Sequence, residues 1–426
     1  MLDVDAPAPD SRFVGVTGTA PLDGLRVVEG SAFVAAPSGG MTLAQLGAEV
    51  VRFDRIGGGI DHGRWPLTAE GRSLYWAGLN KGKKSLTVDL ANPAAHELLA
   101  ELIGSAGTFL TNFPARGWMA PERLVARRAD LVMVAITGNR DGTTAVDYTI
   151  NAAMGFPMVT GPAGGTEPIN SVLPAWDLLC GQTAAVGILA ADRRRLLTGE
   201  GSVMTLALSD VALAATAALG YVGEVQVNGT ERPRCGNDLY GAFGADLSTV
   251  DGRRLYAVAI SRRQWDALLE ATDSAAAVAE VEAARGLDFD DEGDRFEARQ
   301  QIKAAMQAWT GDRPFTEVAE RLDACGVCWG PYQTFTELVA RDPRCSPAGG
   351  LLVEVDQPGI GQYLAPVSPL TPTDAGGRTM SEGGSDAVAP VLGEHTDEVL
   401  AGWLGLSSAD IGRLHDEGVV SGADTG

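Results

Sequence analysis

The residue patterns that carry the commonest enzyme chemistries are missing from this sequence. No Gly-x-Gly-x-x-Gly follows its first apolar run, and Asn80–Ser85 (NKGKKS) ends like a phosphate loop without the upstream glycine. The four histidines, His62, His96, His395 and His415, are scattered and form no HExxH or other metal pattern. No GxSxG elbow is present. A carboxylate is therefore a leading candidate for a nucleophile. Asp177 stands out, in LPAWDLLCGQTAAVGILAAD at the start of an almost wholly apolar helical run. An Asp in that place can simply be a helix N-cap. Its neighbours Trp176, Leu178 and Leu179 point instead to partial burial, where a carboxylate resists ionisation unless donors or a helix end support it. Both readings of Asp177 stay open on pattern alone.

Two smaller features have similar double readings. Three of the four lysines, Lys81, Lys83 and Lys84, sit together in a chain of net charge −22, as a site for an anionic ligand or as a solvated turn. Cys325 and Cys328 form a CxxC with no second pair to complete a zinc site, so they read as ordinary buried thiols, and the odd, sparse cysteine set argues against a disulfide framework. The strongly acidic balance disfavours nucleic acid and anionic membranes as partners. No run reaches the roughly 18 apolar residues that span a bilayer; Val211 to Val222, the longest candidate, reads as a buried helix. With no secretory signal pattern, the expected setting is cytoplasmic.

The elements that would position Asp177 alternate along the first 220 or so residues. Apolar runs at Leu25–Val28, Glu49–Phe53, Ser85–Val88, Thr108–Thr111 and Leu131–Ile136 read as strands. Helical spacing follows at Gly39–Leu46 and Pro93–Ile103, and Leu173–Leu196 reads as a long helix, apolar on most faces and therefore buried. Such alternation predicts a wound parallel α/β sheet. The texture changes near Pro233 to a Gly-rich loop, a strand at Leu255–Ile260 and charged helices, as in a smaller α+β domain. A Gly/Ser/Pro segment, Asp374–Pro390, reads as a linker or arm, and Glu398–Val420 has helical spacing. Residues 1–20 read as a loose tail, 21–225 and 336–426 as parts of a large α/β domain, and 226–335 as the small one.

Six ordered stretches carry a resemblance: Pro21–Arg55 (PLDGLRVVEGSAFVAAPSGGMTLAQLGAEVVRFDR), Asn80–Leu90 (NKGKKSLTVDL), Thr111–Trp118 (TNFPARGW), the WDLLCG run, Arg195–Asp210 (RLLTGEGSVMTLALSD) and Leu392–Leu400 (LGEHTDEVL). Together they resemble the family III CoA-transferases of CaiB/BaiF type. RFDRIGGGIDHGRWP, RPRCGNDLYGAFG, DEGDRFEAR and LHDEGVV are similar to a branch that moves CoA between the two carboxylates of mesaconate, within carbon fixation by the 3-hydroxypropionate route. The resemblance implies a Rossmann-like large domain, a small α+β domain and an interlocked homodimer. It places Asp177 on the catalytic aspartate, which attacks the acyl-CoA thioester to give a mixed anhydride and then an aspartyl-CoA thioester.

By the same resemblance Val34 and Ala35 lie beside that aspartate, and Arg55, Asn112 and Phe113 hold the nucleotide part of CoA. CoA is part of the substrate, with no permanently bound cofactor and no metal. The glycine-bearing loop with Gly236, Asn237, Tyr240 and Gly241 is a candidate source of backbone donors for tetrahedral intermediates, or a plain hairpin turn. Arg116 and Arg140 are candidates for the substrate's free carboxylate, or surface residues. An intermolecular transfer between two dicarboxylates is the competing reading. The related α-methylacyl-CoA racemases use a His where this chain has Asn139, which weakens a racemase reading. Ala91 stands where relatives carry a basic residue, so the resemblance does not extend to that CoA phosphate contact.

Overall fold

Seven short strands build the main sheet because each is β-branched or aromatic and flanked by turn residues. A computed structural model of the chain describes residues 20–370 and 388–423. The residues read as a tail, up to residue 19, and most of the Asp374–Pro390 arm lie outside them. The strands are β1 (Arg26–Gly30), β2 (Glu49–Arg55), β3 (Lys84–Val88), β4 (Thr108–Thr111), β5 (Val132–Thr137) and β6 (Ser202–Ala207), with a short strand at Val420–Ser421 on the far edge. In space β3, β2, β1, β4, β5 and β6 follow one another, all parallel, and Val420–Ser421 pairs antiparallel with β3. This is the doubly wound order, which reverses direction between β1 and β4. Strands buried on both faces read as continuous apolar runs, which is why β1, β2 and β5 were legible. β6, half-exposed at its edge, was not singled out as a strand.

Four helices bear on the site: α1 (Ala35–Ala44), α2 (Pro93–Ala106), α3 (Asp147–Ala153) and α4 (Ala175–Thr198). α2 shows the local logic clearly. The Asn92 side chain caps the Ala94 N–H, Pro93 occupies the first turn, and Gly107 closes the helix at φ +73°. Its buried face, including Leu99, Leu102 and Ile103, packs into a core with Val51, Phe53, Phe109 and Met133. α1 begins four residues earlier than the Gly39 start expected from spacing, because Pro37 falls in the first turn, where a missing N–H costs nothing. The C-terminal stretch is two helices, Thr396–Leu404 and Ser408–Asp416, divided at Gly405 (φ +68°).

Cα proximity divides the chain into two compact units. The first holds the described residues up to Ile150, Val172–Leu219 and those from Pro343 onward; the second holds Asn151–Ser171 and Gly220–Asp342. The second unit has its own antiparallel sheet, Phe243–Ser248 with Arg254–Ala259 and Cys328–Pro331, and its own core of Phe243, Leu255, Trp265, Leu268 and Ile302. Among the described residues no single helix is long and apolar enough to cross a membrane.

α4 departs from its expected full burial. Ala184, Ala185 and Ile188 are buried, whereas Leu178, Leu179, Val186 and Leu197 are exposed, as is Leu213 on the helix Leu208–Ala218. The sequence marked α4 as apolar on most faces, and among the described residues part of that apolar surface stays exposed.

Candidate active site

Ligands of wound sheets gather at the carboxyl ends of the strands, where the strand order reverses. In this chain that place follows Gly30 of β1 and Thr111 of β4. The next residue on one side, Asn112, grips the other side: its Oδ1 accepts from the Ala32 N–H at 2.9 Å, and its Nδ2 donates to the Ala32 carbonyl at 2.6 Å. Phe33 then turns at φ +65°, a left-handed conformation uncommon for a non-glycine residue. Its N–H donates to Asp61 Oδ2 at 3.2 Å, which holds the turn. The chain enters α1 from there, with no side chain capping the helix start.

α4 is brought against α1 by small residues. A β-carbon on Gly181 would lie 2.0 Å from Ser38 Oγ and 2.5 Å from the Ala35 carbonyl oxygen; one on Gly39 would lie 2.7 Å from the Gly181 carbonyl oxygen. Backbones this close admit only glycine. Asp177 lies one turn before Gly181, so the same contact fixes it beside the start of α1. A cavity of about 430 Å³ opens there, lined by Asp177 with Val34, Ala35, Asn112, Arg64, Tyr75 and Asp147 among others.

The first turn of α4 has an unusual cap. Asp177 is the third residue of the helix and is not its N-cap. Asp147, 30 positions earlier, supplies the capping carboxylate: its Oδ2 accepts from the backbone N–H groups of Trp176 (2.8 Å) and Asp177 (3.0 Å). The Asp177 side chain is thereby released from capping duty. Burial raises its pKa to about 6, the negative Asp147 adds to the rise, and Arg64 opposes it. Asp147 is also pushed up by burial, against the pull of its two N–H donors. Both carboxylates line the same cavity. Sequence reading missed Asp147, since an acid at the start of α3 looks like that helix's own first-turn acid.

Of the residues expected at the site, Val34, Ala35 and Asn112 line the cavity with Asp177. Phe113 lies just beyond β4, half-buried and edge-on to Phe53 at 6.1 Å between ring centres. Arg55 is exposed at the end of β2, its Nε donating to the Gly58 carbonyl at 2.6 Å. Arg116 is exposed, and Arg140 is paired with Asp210 at 2.7 Å; neither lines the cavity. Gly236, Asn237, Tyr240 and Gly241 belong to the second unit. There Gly236 and Gly241 have positive φ, Gly236 and Asn237 line a hollow with Tyr256 and Trp329, and the Tyr240 hydroxyl donates to Glu224 at 2.8 Å. Asn139 Nδ2 is tied to Thr143 Oγ1 at 3.0 Å in an exposed turn.

The lysine cluster is neither an anion site nor a solvated turn. Lys83 is fully buried, donating to Glu29 Oε1 (2.8 Å), the Pro37 carbonyl (2.8 Å) and Asn80 Oδ1 (2.9 Å). Lys81 is buried with its ammonium on the Gly78 carbonyl, and Lys84 bridges Glu49 and Glu398. Burial lowers both Lys81 and Lys83 to about 8. Beside Lys83, Arg52 reaches Asp54 (2.9 Å) and Asp61 (3.0 Å), completing a buried ionic network under the Phe33 turn. The CxxC also departs from expectation: Cys328 is exposed and only Cys325 is partly buried. Among the described residues no three His, Cys, Asp or Glu side chains are grouped to hold a metal.

A family model described as CoA-transferase family III matches residues 22–396. The chain is 52% identical over 408 residues to a 2-methylfumaryl-CoA isomerase of Chloroflexus aurantiacus, covering 95% of this chain and 98% of that one. It is 30% identical to a succinyl-CoA:mesaconate CoA-transferase of Haloarcula marismortui (89% and 95% covered) and 28% identical to a succinyl-CoA–D-citramalate CoA-transferase of Chloroflexus aurantiacus (94% and 98%). In three dimensions it matches a CaiB/BaiF family protein from Brucella suis with a TM-score of 0.70 at 24% identity, covering 90% of this chain and 99% of the other. On the strength of a match spanning most of its length, this chain belongs to the family III CoA-transferases.

Proposed function

We propose that this protein moves coenzyme A from C1 to C4 of a 2-methylfumaryl (mesaconyl) group within one molecule, with Asp177 as covalent nucleophile. The observation that carries the reading is the position of Asp177: freed from capping by Asp147, partly buried, and open to the cavity at the strand-order reversal. The 52% identity to a 2-methylfumaryl-CoA isomerase supports the substrate. Intermolecular transfer between dicarboxylates has weaker support, from relatives at 28–30% identity.

In the first step a carboxylate oxygen of Asp177 attacks the C1 thioester carbonyl. The C–S bond breaks, giving a mixed anhydride and CoA thiolate. The thiolate attacks the aspartyl carbonyl, the anhydride C–O bond breaks, and mesaconate leaves as a carboxylate from an aspartyl-CoA thioester. The C4 carboxylate then attacks that thioester, and the two steps run in reverse. No proton is consumed. Splitting the exchange through one nucleophile lowers each barrier, and a diacid held in place reacts at high effective concentration. Each tetrahedral oxyanion needs donors. The backbone N–H groups of Val34, the N-cap of α1, and Ala35, its first residue, are one proposed source, since both residues line this cavity. The loop with Gly236 and Gly241 is the other proposed source, and Arg55, Asn112 and Phe113 are proposed contacts of the CoA nucleotide.

CoA enters only as part of the substrate, and the setting proposed is the cytoplasm, where CoA thioesters are made, in carbon fixation by the 3-hydroxypropionate route. A homodimer is proposed too. It is supported by the exposed apolar side chains Leu178, Leu179, Val186 and Leu197 on α4 and Leu213 on the helix Leu208–Ala218, since exposed apolar surface of this kind marks protein–protein contacts. The test of function is incubation with mesaconyl-C1-CoA and labelled free mesaconate, followed by separation of the regioisomers. Unlabelled C4 thioester is the expected product. Label in the C4 thioester would favour intermolecular transfer, and no C4 thioester would reject the reading.

A further inference from the structure

An intramolecular transfer has a requirement that the nucleophile cannot meet. Midway, with Asp177 held as its CoA thioester, the acyl group is a free dianion in a cavity that still holds the Asp147 carboxylate. Something must retain it.

Among the described residues three charged ones line the Asp177 cavity: Asp177, Asp147 and Arg64. Asp147 is committed to the α4 N–H groups. Arg64 is different from the other arginines near the site. Arg52 is locked to Asp54 and Asp61, and Arg140 is paired with Asp210. Among the described residues Arg64 has no carboxylate within ion-pair distance. Its guanidinium carbon lies 5.4 Å from the Phe33 ring centre and 5.2 Å from that of Tyr75. Aromatic faces stabilise a guanidinium through its plane and leave its N–H edge available. That edge is the part that binds a carboxylate in a two-pronged fashion. The aromatic supports are themselves fixed: Phe33 is the left-handed turn tied to Asp61, and Tyr75 belongs to the helix Leu74–Leu79, capped by Ser73.

We propose that Arg64 binds the substrate carboxylate that is not joined to CoA, and so selects diacid thioesters and retains the free diacid between the two half-reactions. This rests on the proposed reaction and adds the residue that makes it intramolecular. Arg64 holds the C4 carboxylate while C1 reacts. After the aspartyl-CoA thioester forms, the diacid turns, and Arg64 holds the C1 carboxylate while C4 attacks. The bonds made and broken in the transfer are unchanged; Arg64 exchanges no proton.

The test compares wild type, Arg64→Lys and Arg64→Gln on two thioesters: mesaconyl-C1-CoA, and methacrylyl-CoA, which is the same skeleton without the second carboxylate. The readout is the rate of hydroxylamine-trapped adduct on Asp177, with thermal midpoints checking the fold. Loss of a charged, desolvated partner predicts that Arg64→Gln lowers kcat/KM for mesaconyl-CoA about 100-fold. Its rate with methacrylyl-CoA should change less than about threefold. Arg64→Lys should retain part of the preference, and Arg64→Gln should leak free mesaconate. An unchanged diacid preference in Arg64→Gln, or an equal loss on both substrates, overturns the proposal. Because the preference is read from adduct formation, it decides the role of Arg64 even if wild type makes no C4 isomer, a result that would reject the proposed reaction separately.

Discussion

Two groups of charged side chains adjoin the Phe33 turn, and they differ in one respect that decides what each can do. In the network of Arg52, Asp54, Asp61, Lys83 and Glu29, every side chain is ion-paired, nearly dry and held by hydrogen bonds. Among the described residues, in the cavity of Asp177, Asp147 and Arg64, the carboxylate of Asp177 accepts no hydrogen bond and Arg64 has no ion-pair partner. The first group resembles a site by its residue types and is scaffolding: it holds the Phe33 turn and the start of α1. The second is poor in charge and holds the unmatched groups. Reactivity follows from charges left without partners, and rigidity from charges that have them.

That contrast can be broken by mutation. The largest effect falls on the cavity. Asp177→Ala should lower turnover about 10⁴-fold or more while leaving the fold intact. Stability should not suffer. The pKa of Asp177 is raised in the folded chain to about 6, from an ordinary 3.8, so its favourable contribution is complete below the ordinary value and is lost as pH rises through about 6. At pH 8 the variant should therefore be at least as stable as wild type in a urea titration. Arg52→Met should do the opposite. It strands Asp54 and Asp61 in a dry site and should cost about 3–5 kcal/mol by the same titration. If Arg52→Met were neutral, the network would not be the scaffold described.

Gly181→Ala tests the link between packing and site. Its β-carbon would meet Ser38 Oγ and the Ala35 carbonyl, so α1 and α4 must part, at about 1–3 kcal/mol. Activity should fall with it, because Asp177 and Val34 would separate. The smallest effect is expected from Asp147→Asn, which keeps an oxygen to cap α4 but removes the neighbouring negative charge. The acid limb of the kcat/KM profile, near pH 6 in wild type, should move to lower pH, since burial remains and the repulsion is gone. A limb that stays in place would separate Asp147 from the titration of Asp177.

How much of this was legible in the sequence divides along the same line. Thr108–Thr111 appeared as a strand with its own bounds, and β1, β2, β3 and β5 within two residues, because buried parallel strands are continuous apolar runs. The start and stop of α2 carry local signals in Asn92–Pro93 and Gly107. Asp177 could be singled out, but the choice between cap and nucleophile needed Asp147, whose role is set by a contact 30 residues away. The lysines of NKGKKS read as a ligand site or a solvated turn because sequence shows charge and hides partners; Glu29 lies 54 residues from Lys83. Arg64 drew no attention in RFDRIGGGIDHGRWP, since nothing local says that it lacks a carboxylate. Long-range pairing, present or absent, is the information a single sequence withholds.

The proposed chemistry stands or falls on a covalent bond between Asp177 and the substrate. That bond is tested most directly by mixing the protein with mesaconyl-C1-CoA, quenching with hydroxylamine, and sequencing the modified peptide by mass spectrometry. A hydroxamate on Asp177 is expected, dependent on the thioester and absent from Asp177→Ala. Turnover that proceeds with no adduct, or with an adduct on another residue, would refute it.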